Sequence, residues 1–472
     1  MTDYFTLLRE RSVSGSNLNY LNNDIGVARL FFNLHNAEIC YVVESKAWYT
    51  YKSGFWKKDE GGLAVMERCK DFAEALSQHA GKIDDGSEES TAFIKYVNGF
   101  HSRKRREALL SDAKSIAPKS LASFDRDKML FNCQNGTFSL KDMTLHPHRP
   151  EDYITKIARV KYVEGAVCER WERFIGEVMC GDTDTARFLQ KVYGYCLSGE
   201  KAALEGFCLL YGNTTRNGKS TLSETIAYIF GDYARTIQPQ TLARRPNDGA
   251  AASPDIARLK GARLVNMPEP EKGLELNVAL IKQLSGGDTY TGRFLHENPI
   301  EFKPEFTIFI NTNHLPRTAD DTVFSSERVK LIPFERHFTP NEQDTGLKRL
   351  FCMPENKSGI LNWLIDGYRL LMAEGLNVSA RVSAAIASYR EEADIIGSFL
   401  SECTAEQDGN RLATSELYTA YTGWAKDNGY RQMNNKNFVG EIRRRFDVKR
   451  DGGTGNVVIN LVLDNSENPF TD

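Results

Sequence analysis

Short apolar runs, amphipathic stretches and glycine-marked turns divide the chain into parts of different character. Ala47–Tyr51 and Gly54–Trp56 read as strands around a turn, and residues 62–80 carry apolar positions at helical spacing. A polar, turn-rich loop over 81–90 leads to a helix expected over about 91–115, which carries the run Arg103-Lys104-Arg105-Arg106. Asn135-Gly136, between apolar segments, predicts a hairpin turn. Trp171, Phe174, Ile175, Val178, Phe188, Leu189, Val192 and Tyr193 give residues 166–200 helical apolar faces.

From about residue 204 the pattern changes to short buried strands alternating with helices. Gly206–Tyr211, Arg263–Met267 and Phe306–Ile310 are such strands, and they predict a layered α/β core. A helical stretch over 376–395 leads out of it, and Asp464–Asp472 reads as a loose tail. No internal repeat is visible.

A chain of 472 residues is too long for one ordinary core, so two to four domains are expected. Hydrophobic residues at 41% and charged residues at 26% suit a globular protein. No apolar run approaches a membrane span, and the N-terminus lacks a basic-then-apolar signal pattern, so the chain is expected to stay in a cytoplasm-like compartment. The nine cysteines form no CxxC pair, which points to reduced thiols rather than disulfides or zinc. A net charge of −3 excludes an all-over coat of DNA-binding charge but leaves room for a focused basic patch.

The sharpest chemical signal lies in Leu209-Leu210-Tyr211-Gly212-Asn213-Thr214-Thr215-Arg216-Asn217-Gly218-Lys219-Ser220-Thr221. An apolar strand gives way to a glycine-bounded polar loop and then to a helix start. Loop and helix N–H groups can face an anion, Lys219 can neutralise outer phosphates and Ser220 can ligate Mg²⁺. Five residues separate Gly212 from Gly218, one more than the usual pattern, so a bulge is expected there.

A phosphate loop needs a carboxylate on a neighbouring strand. The strand over 263–267 ends in Pro268-Glu269-Pro270-Glu271, where Glu269 is the first candidate and Glu271 the second. The strand over 306–310 ends in Asn311-Thr312-Asn313, where an amide at the end of a buried strand suits both a γ-phosphate and an attacking water. Arg328, fifteen residues beyond Asn313, suits an arginine finger reaching a neighbouring subunit.

Together these residues closely resemble the helicase half of the phage and plasmid primase family, which is related to the poxvirus primase-helicase and to superfamily 3 helicases. Lys282-Gln283-Leu284-Ser285-Gly286-Gly287-Asp288, Pro304-Glu305-Phe306 and Pro333-Phe334 extend the likeness, and Asn23–Phe31, Trp56–Glu60 and Pro150–Lys156 carry it into the first domain. The resemblance implies an α/β, AAA+-like hexameric ring that acts on single-stranded DNA, with ATP and Mg²⁺ at subunit interfaces. It assigns catalysis to Lys219, Glu269, Asn313 and Arg328, nucleotide contact to Gly212, Asn217, Gly218, Lys219, Ser220 and Thr221, and the metal to Ser220 and Glu269. It also places a DNA-gripping hairpin over Thr289–Phe302, with Arg293 and the tip residue His296 as contacts.

The resulting division is 1–165 pre-helicase α+β domain, 166–203 helical segment, 204–375 ATPase, 376–395 connector and 396–465 terminal domain. Asp125-Arg126-Asp127 has the spacing of a polymerase carboxylate pair, but the chain reads as helicase without primase. In the terminal domain two helices followed by two strands predict a winged helix. Residues 431–450 hold seven basic residues against two acidic ones, and Lys436, Arg443, Arg444 and Arg445 are candidate DNA contacts. The leading expectation is an ATP-dependent helicase of a virus, phage, plasmid or mobile element, with forked DNA, its own copies and a separate primase as partners. An origin-melting initiator and an ATP-regulated DNA-binding assembly protein are the alternatives.

Overall fold

The computed structural model describes residues 23–82, 84–200, 204–244, 254–293, 300–316, 324, 327–430, 432–452 and 455–464. The first unit opens with α1 (Asp24–His35), whose N-terminal amides are capped by Asn23. An antiparallel sheet follows, in the order β1 (Ile39–Val42), β2 (Ala47–Lys52), β3 (Phe55–Lys58). Helices α2 (Leu63–Lys82), α3 (Glu88–Asn98) and α4 (Arg103–Ala113) complete it. Val27, Phe31, Phe72, Leu76 and Val97 form its core.

The single helix expected over 91–115 is two helices. A tight turn over Gly99–His101 breaks it, and Ser102 caps the second part. The basic run there is partly consumed by this break: Arg105 donates to Tyr96 O at 2.9 Å and Arg106 to Phe100 O at 3.0 Å. A small sheet of β4 (Leu130–Cys133), β5 (Gly136–Ser139) and β6 (Thr144–His146) follows. Asp125 accepts from Thr155 N at 2.8 Å, tying two distant segments together, and Asp127 accepts from Met129 N at 3.0 Å in a local turn, so both carboxylates are engaged by the chain's own backbone.

Helices α5 (Glu169–Val178) and α6 (Thr183–Tyr195) lead into the central sheet. Its strands are β7 (Phe207–Tyr211), β8 (Ala234–Thr236), β9 (Leu264–Met267), β12 (Thr307–Thr312) and β13 (Val329–Pro333). All pairings are parallel and the order is β13-β7-β12-β9-β8. Phe207–Leu210 and Leu264–Met267 are buried throughout, as strands covered on both faces require. Between them lie α7 (Lys219–Phe230), α8 (Pro239–Leu242), α9 (Pro254–Ala257) and α10 (Val278–Ser285). The paired strands β10 (Tyr290–Gly292) and β11 (Ile300–Phe302) flank the expected hairpin, whose tip, including His296, lies outside the described residues.

After the sheet come α11 (Leu347–Phe351), α12 (Pro354–Glu374) and α13 (Ala380–Ala393). Helix α12 crosses α6 at backbone contact: a Cβ on Gly194 would lie 2.4 Å from Tyr368 N, and one on Gly367 2.2 Å from Gln190 O. Helix α13 rests on β13, and its buried Tyr389 hydroxyl donates to Pro316 O at 2.6 Å.

The last part has more structure than expected. Besides α15 (Thr414–Asp427), α16 (Asn435–Arg445), β15 (Val448–Asp451) and β16 (Gly455–Leu463), it contains α14 (Ile395–Cys403) and β14 (Thr404–Ala413). The antiparallel order is β14-β16-β15. β14 lacks apolar alternation, and it is held by backbone pairing to β16 from Thr404↔Leu463 to Ala413↔Val457. Among the described residues no helix is long and apolar enough to cross a membrane.

Candidate functional site

The loop after β7 turns through two left-handed positions, Arg216 at φ 59° and Gly218 at φ 87°. Gly218 precedes α7, and a Cβ there would also meet Val178 Cγ1 at 2.5 Å, so α5 closes over the loop only if this residue is glycine. Asn217 ties the loop across itself by donating to Thr214 O at 2.6 Å. Gly212 has a different need. A Cβ there would lie 2.4 Å from both Phe334 O and the Asn217 amide nitrogen.

The chain that follows β13 braces this loop from outside. Phe338 N donates to Arg216 O at 2.9 Å, and His337 Nδ1 lies 2.9 Å from Thr215 O. The longer spacing between the two glycines is therefore accommodated by a loop fixed at 212, 214, 215 and 216.

Lys219 opens α7 and is buried. Its Nζ donates to Asn313 Oδ1 at 2.6 Å and more weakly to Gly212 O at 3.4 Å. Burial pulls the ammonium down to about 8, against the opposing effect of the Glu269 carboxylate. Asn313 in turn gives its backbone N–H to Glu269 Oε1 at 3.2 Å. Three residues that the sequence singles out, on three different elements, thus form one connected chain.

They border a cavity of about 750 Å³ at the carboxyl ends of β7, β9 and β12, where open parallel sheets hold their ligands. Thr215, Arg216, Asn217, Lys219, Ser220, Glu269 and Asn313 line it. Glu271 does not, which separates the two acidic candidates. Thr221 is half-buried on α7 and outside that lining. Ser220, exposed on the first turn of α7, and Glu269 supply hard oxygen donors, the ligand chemistry that would suit Mg²⁺. Among the described residues no cluster of three or more His, Cys, Asp and Glu forms a cage of its own.

Arg328 stands apart from this cavity. It immediately precedes β13, and the register Val329↔Phe207 to Pro333↔Tyr211 sets it at the opposite end of the strand from the loop. Five residues of strand separate the two ends by roughly 16 Å. Its guanidinium donates to Lys282 O at 3.2 Å and Ser285 Oγ at 3.3 Å, and pairs with Glu205 at 3.2 Å.

The remaining basic candidates fall into two groups. Arg293 is exposed at the end of β10, and Lys436 and Arg443 are exposed on α16. Arg444 pairs with Glu441 at 2.6 Å along the same helix. Arg445 pairs at 2.8 Å with Asp394, the residue that caps α14, and so joins α16 to the connector.

Several cavity residues are not singled out by the sequence. Asn266 is an amide within an apolar strand, a local break in pattern that could have marked it, and Asn311 belongs to the strand end already noted, where the sequence assigns the catalytic role to Asn313 alone. Arg159 and Arg235 also line the cavity, from segments distant in sequence and with no local signal.

Residues 28–180 match the family model described as D5 N terminal like, and residues 391–458 match the one described as Poxvirus D5 protein-like. The chain is 24% identical over 425 residues to Putative helicase L207/L206 of Acanthamoeba polyphaga mimivirus, across 82% of this chain and 44% of that protein. It is 26% identical over 239 residues to Putative helicase 022R of Frog virus 3 (isolate Goorha), across 47% of this chain and 24% of that protein. It therefore spans less than half the length of these two curated relatives. The apo structure of the NrS-1 C terminal region aligns with a TM-score of 0.48 and 11% identity, over 91% of this chain and 98% of that one. The D5-like character of the sequence is thus present on both sides of the central sheet. The sheet itself lies between the two family matches.

Proposed function

We propose, on the premise that the chain is related to the D5-type viral primase-helicase proteins, that it is an ATP-hydrolysing DNA helicase acting in replication. The observation that carries this reading is the chain of contacts from Lys219 through Asn313 to Glu269 at the mouth of one cavity. The sheet order β13-β7-β12-β9-β8, with the phosphate loop after a strand flanked on both sides, supports an AAA+-like core. Helices α14, α15 and α16 with the β14-β16-β15 sheet support a winged-helix reading of the terminal domain.

In this account the N–H groups of the loop and of the first turn of α7 hold the nucleotide's phosphates. Lys219 leaves Asn313 to bind an outer phosphate oxygen, which frees the Asn313 amide for the γ-phosphate and the attacking water. Glu269, already fixed by the Asn313 backbone, orients that water and accepts its proton as the γ-phosphorus bonds to the water oxygen and parts from the bridging oxygen, which leaves with ADP. Mg²⁺, held by Ser220 and Glu269, would supply positive charge against the phosphate oxygens.

Arg328 cannot serve its own cavity from the far end of β13. Its place supports a role in a second copy's site, and so a head-to-tail ring, for which a hexamer is the proposed size. Arg293, with the hairpin beyond it, and the basic face of α16 are the proposed contacts for single-stranded and duplex DNA. Strand displacement from forked DNA tests the reading: ATP-dependent release of the displaced strand supports it, and ATP turnover without displacement favours an origin-melting or assembly role.

A further inference from the structure

Ser223 of α7 lies one helical turn beyond Ser220 and receives side-chain amides from two strands. Asn266 of β9 donates through Nδ2 to Ser223 O at 3.1 Å, and Asn311 of β12 donates through Nδ2 to Ser223 Oγ at 3.2 Å. The strands are parallel neighbours with Asn266 opposite Phe309. Asn311 is two residues beyond Phe309 and therefore projects from the same face, toward the same helix.

These amides are poor choices for stability. Leu264, Val265, Met267, Ile308, Phe309 and Ile310 around them are buried and apolar. Ser223 and Asn266 are buried too, and the Oδ1 atoms of Asn266 and Asn311 are enclosed without a hydrogen-bond partner. An enclosed acceptor left unpaired weakens a fold, so aliphatic residues would serve the sheet better.

What the amides do achieve is alignment. Ser223 is three residues from Ser220, roughly 4.5 Å along the helix. Asn311 is two residues from Asn313, just past the end of β12, and Asn266 is three from Glu269, just past the end of β9. We infer that Ser223, Asn266 and Asn311 are positioning residues, which lock the helix bearing Lys219 and Ser220 in register with the strands that lead to Glu269 and Asn313. The inference rests on the nucleotide-hydrolysing reading and adds the part that sets its geometry.

The test compares Ser223→Ala, Ser223→Thr, Asn266→Val and Asn311→Val with the wild-type chain for kcat, ATP Kd and thermal midpoint. Ser223→Ala and Asn311→Val are expected to lower kcat about tenfold, since small misplacement of reacting groups is costly. ATP Kd changes far less than kcat, because the loop N–H groups and Lys219 remain, although Ser223, Asn266 and Asn311 also border the cavity. The thermal midpoint holds, or rises for the valine variants, and Ser223→Thr keeps most of the wild-type kcat by retaining the hydroxyl. An unchanged kcat in Ser223→Ala and Asn311→Val overturns the inference. So does a fall in kcat that follows a parallel loss of ATP binding and thermal midpoint, the signature of a loosened fold. A wild-type chain that neither binds nor hydrolyses ATP removes the parent reading as well, whereas active wild type with equally active variants removes this inference alone.

Discussion

Lys219 and Asn313, ninety-four residues apart, are joined by a 2.6 Å hydrogen bond from the lysine Nζ to the asparagine Oδ1. The lysine opens a helix and the asparagine follows a strand, so the bond spans the cavity mouth. It satisfies a cation that is otherwise mostly enclosed, whose other contact is Gly212 O at 3.4 Å. A phosphate entering the cavity can replace the asparagine oxygen and release both side chains for chemistry.

Lys219→Ala is therefore expected to abolish ATP turnover while leaving the fold intact. The ammonium is buried with its affinity for the proton already reduced, so removing it relieves a desolvation cost. Steady-state ATPase assays and thermal unfolding check this: turnover disappears and the thermal midpoint does not fall.

The same lysine predicts a proton signature. With the Lys219 value pulled down to about 8, a sizeable fraction of the amines is neutral near pH 8 in the nucleotide-free chain. Bound phosphate favours the charged form and raises that value, so nucleotide binding takes up protons around pH 8 and few at pH 6. Calorimetry in buffers of different ionisation enthalpy measures the uptake. Lys219→Arg, which stays charged throughout, is expected to lose it.

Gly194 tests the packing that supports the site. A methyl there would press within 2.4 Å of Tyr368 N and 2.5 Å of Leu364 O, where α6 and α12 touch along their backbones. Gly194→Ala is expected to cost about 2 kcal/mol from overpacking. Denaturant unfolding reads that loss directly.

On α16 the arginines are expected to separate by role. Lys436→Ala with Arg443→Ala should weaken duplex binding evenly across sequences and flatten its salt dependence by about one unit of slope for each phosphate the protein no longer neutralises. Arg445→Ala should leave that slope nearly unchanged, because its guanidinium is committed to Asp394 at 2.8 Å. Its effect should appear as a small loss of thermal stability, about 1 kcal/mol or less. Binding titrations over a range of salt concentrations, with thermal unfolding alongside, distinguish the two.

The sequence is most informative where chemistry is local. A loop that needs left-handed backbone at Gly218, followed directly by Lys219 and Ser220, announces itself in a few residues. Buried parallel strands such as Phe207–Leu210 are equally plain, because both faces must be apolar. β14 is not legible because Thr404–Ala413 is held by backbone pairing to β16, which leaves no side-chain period. The break between α3 and α4 is hidden because Ser102 and the inward-turned Arg105 and Arg106 look like ordinary helix-surface residues in a charged run. Choosing Glu269 over Glu271 requires geometry, since both are acids just past the same strand. Arg159 and Arg235 reach the cavity through tertiary structure alone.

The register of β13 against β7 gives Arg328 a distinct mutational phenotype. Arg328→Ala is expected to bind ATP with nearly wild-type Kd yet hydrolyse it poorly, because in the proposed ring the missing group would complete another copy's site. Equilibrium binding and turnover, measured on the same preparation, check the split.

The most direct test mixes two inactive proteins, Lys219→Ala and Arg328→Ala, and measures ATP turnover on single-stranded DNA. In a head-to-tail ring assembled from equal amounts, about a quarter of the interfaces join an intact Lys219 to an intact Arg328. The account predicts that turnover, absent from the first protein and very low in the second, reappears in the mixture. A mixture that stays as inactive as its components, despite verified co-assembly, would contradict a site completed by a neighbouring copy.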